Sequence, residues 1–189
     1  KVLIVAVDED QMAGLTNKYN AFKIDGKKAI DTKFATKIIG SWKGLSKQGL
    51  VLVGEDGEQE AVTEDTAPMR RAVAFSRSIQ DSKTTTNIFK ELVELYTEAH
   101  SGGDGGGMVH CDLDHVDGSM NSLIRLKALD WLKAPAGDNE CRILSNARCL
   151  SEGIDVPALD SVIFFDTRES IVDIVQSVGR VMRKAQGKK

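Results

Sequence analysis

The stretch that decides the fold is IVDIVQSVGRVMRK, residues 171–184. Its apolar positions Ile171, Ile174, Val175, Val178 and Met182 recur at helical spacing, and Ser170 stands where an N-cap belongs. The other side carries Asp173, Gln176, Gly179, Arg180 and Arg183, the last four spaced to share one face. A glycine inside a helix costs about 1 kcal/mol relative to alanine. Gly179 between a glutamine and two arginines therefore suits a polyanion pressed against the helix. Read without its neighbours, the same face is a solvated cationic surface with a tolerated glycine.

The residues just upstream decide between these readings. NARCLSEGIDVP, residues 146–157, is followed by the buried-looking strand SVIFFD, 161–166, and then by the helix. The pattern Gln176-x-x-Gly179-Arg180-x-x-Arg183 resembles the last signature motif of superfamily 2 helicases and translocases. The segment ending Gly153-Ile-Asp155 resembles the motif that precedes it there. The resemblance is most specific over residues 141–184, reaches back more weakly to about residue 71, and says nothing about residues 8–70.

Further outward, strand and helix patterns alternate. Strands are expected at 71–75, within 108–116, at 141–145 and at 161–166. Helices are expected at 84–100, with Ile88, Leu92, Leu95, Tyr96 and Ala99 on one stripe, and from a Ser119 cap to residue 133. In the latter, Leu123, Ile124, Ala128, Trp131 and Leu132 face inward. Residues 101–107, SGGDGGG, read as a flexible spacer, because five glycines in seven residues do not suit a packed element. This alternation predicts an α/β fold, a parallel sheet with helices on both faces joined by right-handed crossovers. The resemblance makes it RecA-like.

Residues 1–70 are expected to supply the first strand of the lobe plus an inserted helix and hairpin. KVLIVAV, 1–7, is a continuous apolar run of strand length. Residues 11–30 read as loop with room for one short turn of helix, 31–45 as a helix carrying Phe34, Ile38, Trp42 and Leu45, and 50–53 with 60–62 as a hairpin. Residues 71–189 form the RecA-like core, and 1–189 are expected to make one compact domain. Asp8-Glu9-Asp10-Gln11 is similar to the magnesium-binding motif of the family's first lobe. The phosphate loop GxxxxGK[ST] that precedes it there is absent, so these acids read as the solvent-exposed end of a strand. A chain opening at Lys1 directly into a strand looks like a piece of a longer polypeptide.

Bulk properties narrow the classes. The 189 residues are 41% hydrophobic and 28% charged, which suits a packed globular protein. Net charge is −3, so there is no overall basic field and any nucleic-acid surface must be local. No run is apolar enough to span a membrane and no signal peptide is visible, which points to the cytoplasm. Cys111, Cys141 and Cys149 are an odd number without zinc-ligand spacing, and His110 and His115 supply no partner pattern. They read as reduced, mostly buried thiols, and no metal site is expected on this chain.

In open parallel sheets, ligands collect beyond the carboxyl ends of the strands. That places Ser76-Arg77, His115 to Ser119, Ser145 to Arg148 and Asp166 to Arg168 along one edge. The resemblance implies their roles. Arg180 and Arg183 match the arginines that reach ATP held on the first lobe, Arg183 as arginine finger. Gln176 and Gly179 order that face, and Gly153 and Asp155 match the element that approaches the ribose or the arginines; Asp155 before Val-Pro also suits a simple turn cap. Ser76, Arg77, Asp117, Gly118, Ser119, Ser145, Asn146 and Arg148 match segments that contact the nucleic-acid backbone, with Ser145 or Asn146 in the threonine-like position. Such contacts grip phosphate and sugar without reading sequence.

The resemblance therefore implies the second motor lobe of an ATP-dependent DNA helicase or translocase, similar to those of bacterial restriction and DNA processing. ATP and Mg²⁺ would be held mainly by the amino-terminal RecA-like lobe, and this chain alone would hydrolyse nothing. Two other classes stand beside it. A non-catalytic scaffold or partner-docking module has no need of Gln176, Arg180, Arg183 and Asp155 together. A nucleotide-binding protein acting alone would need the missing phosphate loop.

Overall fold

The computed structural model describes residues 3–4, 7–21, 29–47, 51–53, 59–61, 67–100, 109–147 and 159–166. The chain divides into two compact units, residues 1–68 with 89–108, and residues 69–88 with 109–189. The helix Ile79–His100 contributes its first part to one unit and the remainder to the other.

The first unit holds helices α1 (Glu9–Ala21) and α2 (Thr32–Ser46) and a three-stranded antiparallel sheet, β1 (Leu3–Ile4), β2 (Val51–Val53) and β3 (Gln59–Ala61). The expected hairpin is β2–β3. The opening apolar run was expected to start the parallel sheet; its described part, β1, pairs antiparallel with β2 instead. A short apolar run fits either sheet, and only the long-range pairing tells them apart. The segment expected as loop contains α1, which buries Met12, Leu15, Thr16 and Tyr19 at three- and four-residue steps. Asp8 caps α1, accepting from the Gln11 amide at 2.8 Å, while Glu9 and Asp10 favour its amino-terminal dipole. These acids begin a helix rather than end a strand in solvent. α2 buries Ala35, Ile38, Ile39, Trp42 and Leu45, and Asp31 caps it by accepting from the Phe34 amide at 2.7 Å. The Tyr19 hydroxyl donates to Glu91 at 3.2 Å, and burial together with that carboxylate pushes the phenol up to about 12.

The second unit is built on a parallel four-stranded sheet of order β5-β6-β4-β7: β4 (Arg71–Phe75), β5 (His110–Asp117), β6 (Glu140–Ala147) and β7 (Ser161–Phe164). The two inner strands are nearly continuously buried, whereas β5 at the edge alternates, as the number of covered faces requires. The connection from β4 to β5 passes through α3 (Ile79–His100), and that from β5 to β6 through α4 (Ser122–Lys133). They run in opposite directions across the sheet, so right-handed crossovers put the helices on opposite faces. Side-chain alternation agrees. Val73, Phe75, Val116 and Leu144 pack with Ala128 and Leu132 of α4, while Ser145, one residue on, meets Ser82 of α3.

α4 differs from expectation in two respects. Its N-cap is Asn121, accepting from the Ile124 amide at 2.9 Å, rather than Ser119. Leu123 and Ile124, expected inward, are 60% and 47% exposed; only Ala128 and Leu132 are buried. Cys111 and Cys141 face each other in register on β5 and β6, both buried and free, as expected; Cys149 lies outside the described residues.

At the amino edge of the sheet, arginines close the carboxyl end of α4. Arg71 donates to the carbonyls of Leu132, Lys133 and Ala134 at 3.0–3.2 Å. Arg142 donates to the carbonyls of Trp131 and Ala134 at 2.6 and 3.2 Å. Cations there satisfy orphan carbonyls and complement the helix dipole. Asp160 accepts from the Arg70 and Arg71 amides at 3.0 and 3.1 Å, fixing the start of β4.

Candidate functional site

The carboxyl edge of the same sheet gathers the ends of β4, β5, β6 and β7. The Ser76 amide donates to the Asn146 carbonyl at 2.9 Å, extending the β4–β6 ladder by one residue. The Arg77 amide donates to the Asp166 carboxylate at 2.9 Å, tying the β4 and β7 ends together. Ser78 caps α3 by accepting from the Asp81 amide at 3.0 Å.

The strand-end residues expected to meet nucleic acid sort into two groups. Arg77, Gly118 and Ser119 are exposed, and the Arg77 side chain is 73% accessible despite a 3.5 Å ion pair with Asp81. Ser76, Asp117, Ser145 and Asn146 are buried. Asn146 donates to the Ala74 carbonyl at 2.9 Å, and Ser145 shares a 2.7 Å hydrogen bond with Ser82. Among the described residues, the Ser76 hydroxyl and the Asn146 side-chain oxygen have no hydrogen-bond partner. Unpaired buried polar atoms of that kind are rare in folded proteins.

Asp117 is the most enclosed carboxylate on this edge, 1% exposed. One oxygen accepts from both the amide (2.8 Å) and the hydroxyl of Ser119. The other accepts from His115 Nε2 at 2.9 Å and has the Lys83 ammonium at 3.9 Å. The Ser119 hydroxyl, then His115, hold the Asp117 carboxyl well below the usual carboxylate range, against the opposing effect of burial. This capture explains the displaced cap: with Ser119 turned inward, Asn121 closes α4. The Ile124 amide is taken by that cap, and Ser122 and Leu123 supply the first orphan amides of the helix. Ser122 and Leu123 are exposed, so α4 presents an open amino end beside the Gly118–Ser119 turn. Sequence reasoning missed Ser82 and Lys83 of α3; their one signal was polarity on the face of a helix that has to cover the sheet.

Arg148, Gly153, Asp155, Gln176, Gly179, Arg180 and Arg183 lie outside the described residues. Among the described residues, no group of three or more His, Cys, Asp or Glu side chains is placed to hold a metal ion. No helix among them is long and apolar enough to cross a membrane.

Comparison with known proteins assigns the family. The profile of the helicase conserved C-terminal domain matches residues 59–185. Among solved structures, the chain is similar to the ATP-dependent Type ISP restriction-modification enzyme LlaBIII bound to DNA, with 36% identity and a TM-score of 0.72 over 95% of this chain. The match covers 10% of that enzyme's chain, so this sequence corresponds to a small part of its relative. The C-terminal part of the Fun30 ATPase domain also aligns, at 15% identity and a TM-score of 0.45, over 96% of this chain and 46% of that one. Among curated proteins, no sequence matches significantly. The parallel sheet with its covering helices and the profile match over most of the chain lead to one conclusion: this chain belongs to the helicase conserved C-terminal domain family.

Proposed function

We propose that the chain is the second motor lobe of an ATP-driven DNA translocase or helicase of the restriction-associated kind. The observation that supports this most is the pairing of the Gln176-x-x-Gly179-Arg180-x-x-Arg183 pattern with a relative, 36% identical, that is an ATP-dependent enzyme bound to DNA. In this reading ATP lies between this lobe and an amino-terminal RecA-like lobe that supplies the Mg²⁺ ligands. The donor set here fits a triphosphate: Arg180 and Arg183 offer guanidinium forks, and Gln176, Gly179, Gly153 and Asp155 order the face around them. As charge grows on the transferred phosphoryl oxygens, an arginine finger stabilises it, by about 10³- to 10⁵-fold in rate where fingers have been measured. Arg183 fills that role, with Arg180 beside it.

The nucleic-acid grip falls to the exposed members of the carboxyl edge. Arg77 offers a cation, and the Gly118–Ser119 turn and the open end of α4 offer amides, which bind backbone phosphate without selecting sequence. The buried members Ser76, Asp117, Ser145 and Asn146 shape that surface from beneath.

The test is Arg183→Ala in the polypeptide carrying both lobes. DNA-stimulated ATPase is expected to fall by about 10³-fold or more with ATP affinity largely retained. Unchanged turnover would contradict the motor reading and favour a scaffold. The 189-residue chain by itself is expected to hydrolyse no ATP.

A further inference from the structure

Beneath the carboxyl edge a line of polar side chains crosses three elements: Ser145 on β6, Ser82 on α3, His115 and Asp117 on β5, and Ser119 in the turn beyond. Asp117, Ser145 and the Gly118–Ser119 turn belong to the surface proposed above, but the Ser82 and His115 links that join them have no part in it. We infer that His115 is a positioning residue for nucleic-acid contact, acting through Asp117 to hold the Gly118–Ser119 turn in the shape that meets backbone phosphate. The inference rests on the motor reading above and adds to it the device that fixes the contacting turn.

Donor arithmetic shows why the line has a direction. Each Asp117 oxygen faces two donors: Ser119 amide and hydroxyl on one side, His115 Nε2 and the Lys83 ammonium on the other. An acceptor-only carboxylate satisfies all of them, which requires His115 to carry its proton on Nε2. Nδ1 of the neutral ring is then an acceptor, and the Ser82 hydroxyl donates to it at 2.7 Å. With its hydrogen so directed, Ser82 accepts from the Ser145 hydroxyl at 2.7 Å. One assignment thus satisfies every member from Ser145 to Ser119, and buried networks of this kind rigidify only when every member is satisfied.

The same arithmetic separates holding from touching. The amide and hydroxyl hydrogens of Ser119 both point inward to Asp117, so Ser119 lends no donor to a ligand. The Gly118 amide, in the exposed residue between, has no partner among the described residues and is oriented by the clamp on either side of it. A Cβ at Gly118 would meet nothing within 4 Å, so the turn opens to space rather than to the core. The other end of the line, Ser145, immediately precedes the NARCLSEGIDVP segment. His115 therefore fastens a phosphate-facing turn to the strand that leads into a nucleotide motif.

The experiment measures ATPase of the two-lobed polypeptide against concentration of a mixed-sequence duplex DNA, for Asp117→Asn, His115→Leu and His115→Gln. In Asp117→Asn the side-chain amide must present a hydrogen where either His115 or Ser119 already donates. His115→Leu removes both ring contacts. Either variant is expected to raise the DNA concentration for half-maximal turnover about tenfold, the effect of losing one charge-assisted hydrogen bond from the positioned state. Maximal turnover at saturating DNA stays within about twofold, because Arg180 and Arg183 are untouched. His115→Gln keeps one donor and one acceptor at similar separation, and is expected to recover most of the affinity lost in His115→Leu. Should His115→Leu fail to fold, the near-isosteric Asp117→Asn carries the test. Unchanged half-saturation in Asp117→Asn, or equal loss of maximal turnover and affinity with no recovery in His115→Gln, overturns the inference. A wild type whose turnover does not respond to DNA would instead overturn the motor reading beneath it.

Discussion

The two edges of the parallel sheet are both rich in polar side chains, yet they use them in opposite ways. At the amino edge, Arg71 and Arg142 turn inward onto the last carbonyls of α4, and Asp160 onto the first amides of β4. At the carboxyl edge, Asp117 binds the turn beneath it, while Arg77, Gly118 and the first residues of α4 stay exposed. The comparison teaches how to tell structural from functional polarity in a parallel sheet. Groups that complete a helix end or a strand start maintain the fold; groups that stop short of satisfaction lie on the edge proposed to work. Helix direction reinforces the contrast, since α4 directs its positive end toward the carboxyl edge and its negative end toward two arginines.

Three substitutions or titrations sharpen that contrast. The largest effect on stability is expected from Arg71→Ala, which takes the side-chain donor from the Leu132 and Lys133 carbonyls at the end of α4, the Ala134 carbonyl keeping Arg142. A loss of about 2–3 kcal/mol in denaturant unfolding is anticipated, with DNA affinity of the folded protein unchanged. A matching loss of affinity would erase the distinction between the edges.

Acid provides the second probe. The folded pKa of Asp117 lies below its unfolded value, so its contribution to stability is fully present above the ordinary carboxylate range. That contribution is lost as pH falls toward the folded pKa. Melting temperature is therefore expected to decline below about pH 4, and to decline less steeply in Asp117→Asn. Parallel slopes in the two proteins would show that the carboxylate is not held as described.

The smallest effect belongs to Arg77→Ala. Stability is expected to stay within about 0.5 kcal/mol, because the exposed pair with Asp81 contributes little. DNA affinity should fall, and the slope of log affinity against log salt should shrink by about one. An unaltered salt slope would remove Arg77 from the contact surface.

Much of the second unit was legible because its signals are local. Strands expected at 71–75 and 141–145 stand as β4 and β6, and the short apolar run of β4 is buried as its composition requires. The four polar strand ends could be assigned to one edge before any coordinates, since parallel strands leave no other arrangement. What escaped was set by contacts distant in sequence. Strand order places β6 between β4 and β5, a pairing no local pattern encodes. Ser119 reads as an N-cap until Asp117 is seen to take both its hydrogens, and the cap then passes to Asn121. Ile124 shares the buried face of Ala128 and Leu132 by spacing, yet it is exposed in the first turn, outside the packed part of the helix. The missed helix α1 was readable from Met12, Leu15 and Tyr19; its sparse apolar content and Gly14 concealed the period. Ser145 and Asn146 match a contact motif, yet both are fully buried, which no local pattern encodes.

The account as a whole requires Arg180 and Arg183 to serve a nucleotide held on another lobe. The most direct measurement is the structure of the two-lobed polypeptide bound to DNA and a non-hydrolysable ATP analogue. The account predicts the Arg183 guanidinium within hydrogen-bonding distance of the γ-phosphate, with DNA phosphates against Arg77 and the Gly118–Ser119 turn. Arginine side chains packed within their own lobe, away from the carboxyl edge and the nucleotide, would contradict it.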